Sequence, residues 1–90
     1  MLNIDYTVEQ RNYEGFILDI SPAGAFIETS EPFSAGQPIS MSFSLPNKPG
    51  QLNIDGEILW KGMLGMGVKF YDMASQQVEL ISAFMHEEEM

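Results

Sequence analysis

Residues 39–45 read Ile39-Ser40-Met41-Ser42-Phe43-Ser44-Leu45, an unbroken alternation of apolar and hydroxyl side chains. Successive side chains on a strand face opposite ways, so this period of two fits a strand with one face buried. A slip of one residue would bury three hydroxyls, which pins the register. The same period recurs along the chain. Ile4, Tyr6 and Val8 alternate with Asp5, Thr7 and Glu9, and Leu52, Ile54, Gly56, Ile58 and Trp60 alternate with Asn53, Asp55, Glu57 and Leu59. In that second run Gly56 marks a bend or bulge. Tyr13 to Ile20 and Ala25 to Thr29 read as two further strands, and Met66, Val68 and Phe70 as the inward set of a sixth. Between them stand turn signals: Gln10-Arg11-Asn12, Ser21 to Gly24, the loop from Glu31 to Gly36, Asn47 to Gly50, and the glycines at 62 and 65. Six short strands with regular turns favour a small antiparallel barrel, because closing the sheet removes exposed edges.

The last segment changes period. Val78, Ile81, Phe84 and Met85 fall at helical spacing, with Gln76, Gln77, Glu79 and Ser82 on other faces, and Asp72 or Ser75 supplies the N-cap. One amphipathic helix after a barrel buries its stripe by plugging an open end or lying across the side. The expected fold is therefore mainly β, a six-stranded antiparallel barrel with one C-terminal α-helix. Strands occupy about 3–72, the helix about 74–86, and a solvated acidic tail 87–90, all in one domain over 1–90.

Ninety residues bury about two thirds of the surface their unfolded chain exposes, enough for one core. With no cysteine there is neither a disulfide framework nor a thiolate metal site, which fits a reducing, cytoplasmic setting. No apolar run approaches a membrane span, and no basic, apolar leader opens the chain, so no membrane insertion is expected. Thirteen acidic residues against four basic ones give a net charge of −9. Arg11, Lys48, Lys61 and Lys69 are scattered, so the chain lacks the basic face that DNA or RNA binding requires.

Catalytic chemistry is not expected. His86 is the one histidine, at the end of the helix beside glutamates, with no cysteine to join it in a metal site. Asp19 and Ser21 lie two apart on one strand face, yet no Ser-His pairing is available to activate the hydroxyl. The glycines at 62, 65 and 67 lead into a strand and do not match a phosphate loop. Among seven methionines, Met41 and Met66 take inward positions and Met63, in the loop 61–65, is the exposed one. Met63 and Leu64 are candidates for contact with a protein partner, with a tuck beneath the barrel as the alternative.

The segment richest in chemistry is Asp19-Ile20-Ser21-Pro22-Ala23-Gly24, between Phe16-Ile17-Leu18 and Ala25-Phe26-Ile27. Pro22 and Gly24 suit the second and fourth positions of a type I turn, so the segment belongs at a sheet rim. Asp and Ser often bond neighbouring backbone at turns, so a plain hairpin corner is one reading. The pattern Asp19-x-Ser21-x-x-Gly24 also resembles the D/N-x-S-x-x-G motif of the PilZ family. Gly56-Glu57-Ile58-Leu59-Trp60 and Gly65-Met66-Gly67-Val68-Lys69-Phe70 resemble that family's later strands, and the likeness spans about residues 4–85 with the motifs in order.

The resemblance implies the same six-stranded barrel with a C-terminal helix, and a receptor for the bacterial second messenger cyclic di-GMP. It implies that Asp19 and Ser21 bond a guanine edge, that Gly24 lets the backbone approach, and that an R-x-x-x-R motif before the first strand supplies arginines. Arginine suits this ligand through charge-assisted forks to phosphate and bidentate bonds to guanine. Here the one arginine is Arg11, in the first hairpin. Each lost charge-assisted bond forfeits about 1.5–3 kcal/mol, and losing two weakens binding by about two to four decades. The first expectation is thus a non-enzymatic signalling or adaptor module with weak or no intrinsic nucleotide binding and no cofactor, acting through a protein partner. The alternative is a cyclic di-GMP receptor whose arginines come from an upstream segment or another subunit. A third is a structural or dimerisation domain: a shortened first strand would leave its neighbour unpaired and recruit a second copy, giving a homodimer.

Overall fold

In the computed structural model, which describes residues 2–31, 33–48 and 50–88, six antiparallel strands close into a barrel and one helix follows. The strands are β1 (Leu2–Val8), β2 (Arg11–Ser21), β3 (Gly24–Glu28), β4 (Pro38–Phe43), β5 (Leu52–Lys61) and β6 (Gly65–Tyr71), and the helix is α1 (Ser75–Glu88). Around the barrel the order is β1-β2-β3-β6-β5-β4, with β4 pairing back onto β1.

The alternations sort as their period demands. Ile4, Tyr6, Val8, Ile39, Met41, Phe43, Leu45, Met66, Val68 and Phe70 are buried. The intervening Asp5, Ser40, Ser44 and Lys69 are exposed. Full burial of a side chain such as Ile27 or Ile58 stabilises the fold by about 1.5–3 kcal/mol. Strand β1 pairs with β2 along its whole length and with β4 over Asp5 to Thr7, so at the strand level the ring is closed on both sides of β1.

Registers fix what shares each end of the barrel. At one end lie the start of β1, the β2–β3 corner, the start of β5 and the end of β6. Helix α1 packs at this end: Ile81 is fully buried, Phe84 joins the core, and Gln77 Nε2 donates to the Asn53 carbonyl at 3.1 Å. At the opposite end the loop after β3 folds inward. Phe33 is buried edge-on against Tyr6 and Tyr13, and the Tyr6 hydroxyl donates to Thr29 Oγ1 at 3.0 Å.

Four local expectations need correction. The first hairpin turns at Glu9-Gln10, and Arg11 and Asn12 already belong to β2, because Val8 pairs with Arg11 around a two-residue loop. Neither Asp72 nor Ser75 caps the helix. Ala74 does, its carbonyl accepting from Val78 N, while Gln77 Oε1 reaches back to Ala74 N in half of a capping box. Gly56 sits in unbroken register, and a Cβ there would overlap the Lys69 carbonyl oxygen, so it marks a close approach of strands with no bulge. Finally, Glu87 and Glu88 lie in the helix beyond its expected end. Glu87 meets Lys48 Nζ at 2.6 Å, which ties the last turn to the β4–β5 loop. The remaining tail residues, 89 and 90, lie outside the described residues.

Candidate functional site

The β2–β3 hairpin turns through Pro22 and Ala23, with Ser21 paired to Gly24. Neither turn residue takes a positive φ, as a type I corner requires. Ser21 Oγ accepts from Ala23 N at 3.2 Å, so the hydroxyl braces the corner and keeps its own proton to donate outward. A Cβ on Gly24 would overlap the Val68 carbonyl oxygen, so close packing of β3 on β6 alone accounts for a glycine here. Asp19 is exposed on the outer face.

Cross-strand registers place Asp19 in company that the linear motif does not reveal. Asp19 pairs with Phe26, Phe26 with Gly67, and Gly67 with Trp60, one outward row across β2, β3, β6 and β5 that spans about 14 Å. The rings of Phe26 and Trp60 stack, with centroids 5.4 Å apart and planes at 29°. They meet because Gly67 has no side chain: a Cβ there would come within 2.6 Å of Trp60 Cε2, so the indole lies flat over the β6 backbone. The next row is Ser21, Gly24, Lys69 and Glu57. All of these but Glu57 line an open depression of about 430 Å³, with the carboxylate and hydroxyl at one side, the aromatic shelf at the other, and Lys69 on its margin.

Trp60 is the site residue that the alternation misassigned. Read as inward, it is half exposed, because a bulge between Ile58 and Trp60 inserts Leu59 and turns both side chains outward. The sequence did hold a signal: Leu59 occupies a position where Asn53, Asp55 and Glu57 had set a polar rhythm. A second bulge, between Ile17 and Asp19, exposes Leu18 and sets the facing of Asp19.

The other candidates lie elsewhere. Arg11 pairs with Val8 at the far end of the barrel, eight strand residues before Asp19 and on the order of 25 Å from it. Met63 is completely exposed and Leu64 largely so at the tip of the β5–β6 hairpin, so they do not tuck beneath the barrel. His86 is exposed near the end of α1, and among the described residues no group of three or more His, Cys, Asp or Glu side chains is placed to hold a metal. No helix among them is long and apolar enough to cross a membrane. A larger hollow of about 800 Å³ covers the outer face of β2, β1, β4 and β5, but its lining includes Asp5, Glu14 and Asp55 and no cationic side chain, an unfavourable setting for an anionic ligand.

The closed six-stranded barrel thus carries its Asp-x-Ser-x-x-Gly corner beside an outward aromatic shelf. The chain belongs to the PilZ domain family, whose profile matches residues 1–87. PilZ is a family of cyclic di-GMP-binding domains, generally non-enzymatic. Among solved structures, the inhibitor of motility MotI/DgrA of Bacillus subtilis shares the fold, with a TM-score of 0.72 at 15% sequence identity. The match covers 97% of this chain and 46% of that one, so this chain spans about half of that protein's length. Comparison with curated proteins yields no significant match.

Proposed function

We propose that this PilZ domain is a non-enzymatic adaptor of cyclic di-GMP signalling with weak or no intrinsic nucleotide binding, acting through a protein partner. The observation that carries this reading is the position of the cations. Asp19, Ser21 and the Phe26–Trp60 shelf offer an acceptor, a hydroxyl and a stacking surface for a purine, but Arg11 is at the other end of the barrel. Lys69 alone is on the margin, paired across the strands with Glu57 and 5.9 Å from the Tyr71 ring centroid. A ligand with two phosphates in the field of a domain at −9 needs more positive charge than that.

The shelf itself favours a second reading. A stacked aromatic pair aligned with the turn carboxylate is what a receptor needs for the base, and arginines from an upstream segment or another subunit would complete it. Trp60 is the single tryptophan, so its emission reports the site directly. Titrating cyclic di-GMP into the ninety-residue chain should leave that emission unchanged at micromolar ligand. Saturable micromolar quenching that Asp19→Ala abolishes would select the receptor reading.

A further inference from the structure

Outward from the Phe26–Trp60 stack, the apolar surface continues to the tip of the β5–β6 hairpin. Leu59 is 49% exposed, Trp60 51%, Leu64 72% and Met63 100%. The edge of the indole lies against Gly62, where a Cβ would sit 3.3 Å from Trp60 Cζ3, so shelf and tip form one continuous strip. Two backbone bonds hold the tip in place: Gly62 N to Gly65 O at 2.8 Å, and Thr29 N to Leu64 O at 3.2 Å. The strip is thus presented by braced backbone. From the Phe26 ring to Met63 it runs on the order of 15 Å.

We infer that this strip is a docking face for a basic amphipathic helix of a partner protein; the inference rests on the adaptor reading and locates its partner surface. Sheet faces with outward apolar side chains are covered in folded proteins by the apolar stripe of a helix. The length of the strip matches about three helical turns. Charge selects the kind of helix. Asp19, Glu28 and Glu57 face outward around the strip, opposed by Lys61 and Lys69, and the molecule as a whole carries −9. That field draws in a cationic helix and opposes a second copy of this chain, which would bring its own −9 to the same contact.

The test uses the ninety-residue chain and three synthetic peptides of about 14 residues. One carries Leu at helical spacing with Lys elsewhere, one is its scrambled isomer, and one replaces Lys by Glu. Trp60 emission and amide shifts follow binding. The expected result is saturable binding of the first peptide, a blue shift of Trp60, shifts centred on residues 59–67, weakening with salt, and a loss of at least about tenfold in Met63→Asp/Leu64→Asp. The tip variant must keep the circular dichroism of the parent; Leu64→Ser serves if it does not. Equal binding of the scrambled isomer, equal binding by the tip variant, or a dimer at working concentration that the tip variant dissociates would each overturn the inference. Failure here with no nucleotide binding removes the surface and leaves the adaptor reading. Micromolar nucleotide binding by the same chain overturns the adaptor reading itself.

Discussion

Gly67 and Gly24 carry different duties although both lie on the same outer face. At Gly67 the atom that a β-carbon would displace belongs to the half-exposed Trp60 side chain, which can swing into solvent. Gly67→Ala should therefore change stability by no more than about 1 kcal/mol while unstacking the indole from Phe26, seen as a red shift in tryptophan emission. At Gly24 the obstacle is the Val68 carbonyl, which cannot move without opening the β3–β6 ladder. Gly24→Ala should cost about 2–4 kcal/mol in chemical denaturation. Tyr6 gives a pH-dependent test. Burial is the main cause that raises its phenol above the ordinary 10.0, partly offset by its bond to Thr29. The unfolded chain ionises this group more readily, so its contribution is complete below pH 10.0 and is lost as pH rises from there through the folded value. Denaturation midpoints should fall above that pH in the parent and fall less steeply in Tyr6→Phe, which also forfeits about 1 kcal/mol for the Thr29 bond.

Among the described elements, the β1–β2 hairpin has two adjacent non-glycine residues at positive φ. Glu9 and Gln10 both take positive φ, 51° and 68°, conformations that cost non-glycine residues about 1–2 kcal/mol each. Glu9 is held by Gln37, whose amide donates to its carboxylate and tethers the turn to the loop before β4. Gln10→Gly should raise stability by about 1 kcal/mol in thermal or urea unfolding without touching that tether. The hairpin also shows why part of the fold was legible and part was not. Period-two patterning located β1, β4, β5 and β6, because burial of one face leaves its mark at each second residue, as in Ile39 to Leu45, whereas β2 and β3 were legible only as apolar, β-prone runs between turn signals. The turn fell at Glu9-Gln10, one residue before the expected start and two before the expected end, since neither residue carries the Asn-Gly signature of such a loop. The helix cap fell on Ala74, a poor capping residue, because Gln77 satisfies the backbone in its place. Of the site, Asp19 and Ser21 were legible as a motif. Trp60 was not, because one inserted residue, Leu59, reverses the facing of everything after it.

At the scale of the molecule, closure of the barrel decides what a small, strongly acidic domain can offer. With strand edges paired around the ring, recognition falls to outward side chains and to the corners. These are divided by end and by face: the turn carboxylate, the aromatic shelf and Lys69 on one side, Arg11 at the far end, and a cation-free polar face opposite. We propose that the barrel keeps the base-facing half of a cyclic di-GMP site without arginines for its phosphates. The most direct test is heat titration of cyclic di-GMP, at low salt, into two chains side by side: residues 1–90, and the same residues preceded by a segment bearing R-x-x-x-R. The expected result is no saturation of the first at micromolar ligand and a gain of at least about two decades in affinity for the second, abolished by Asp19→Ala. Micromolar or tighter binding by residues 1–90 alone, in folded protein, would contradict it.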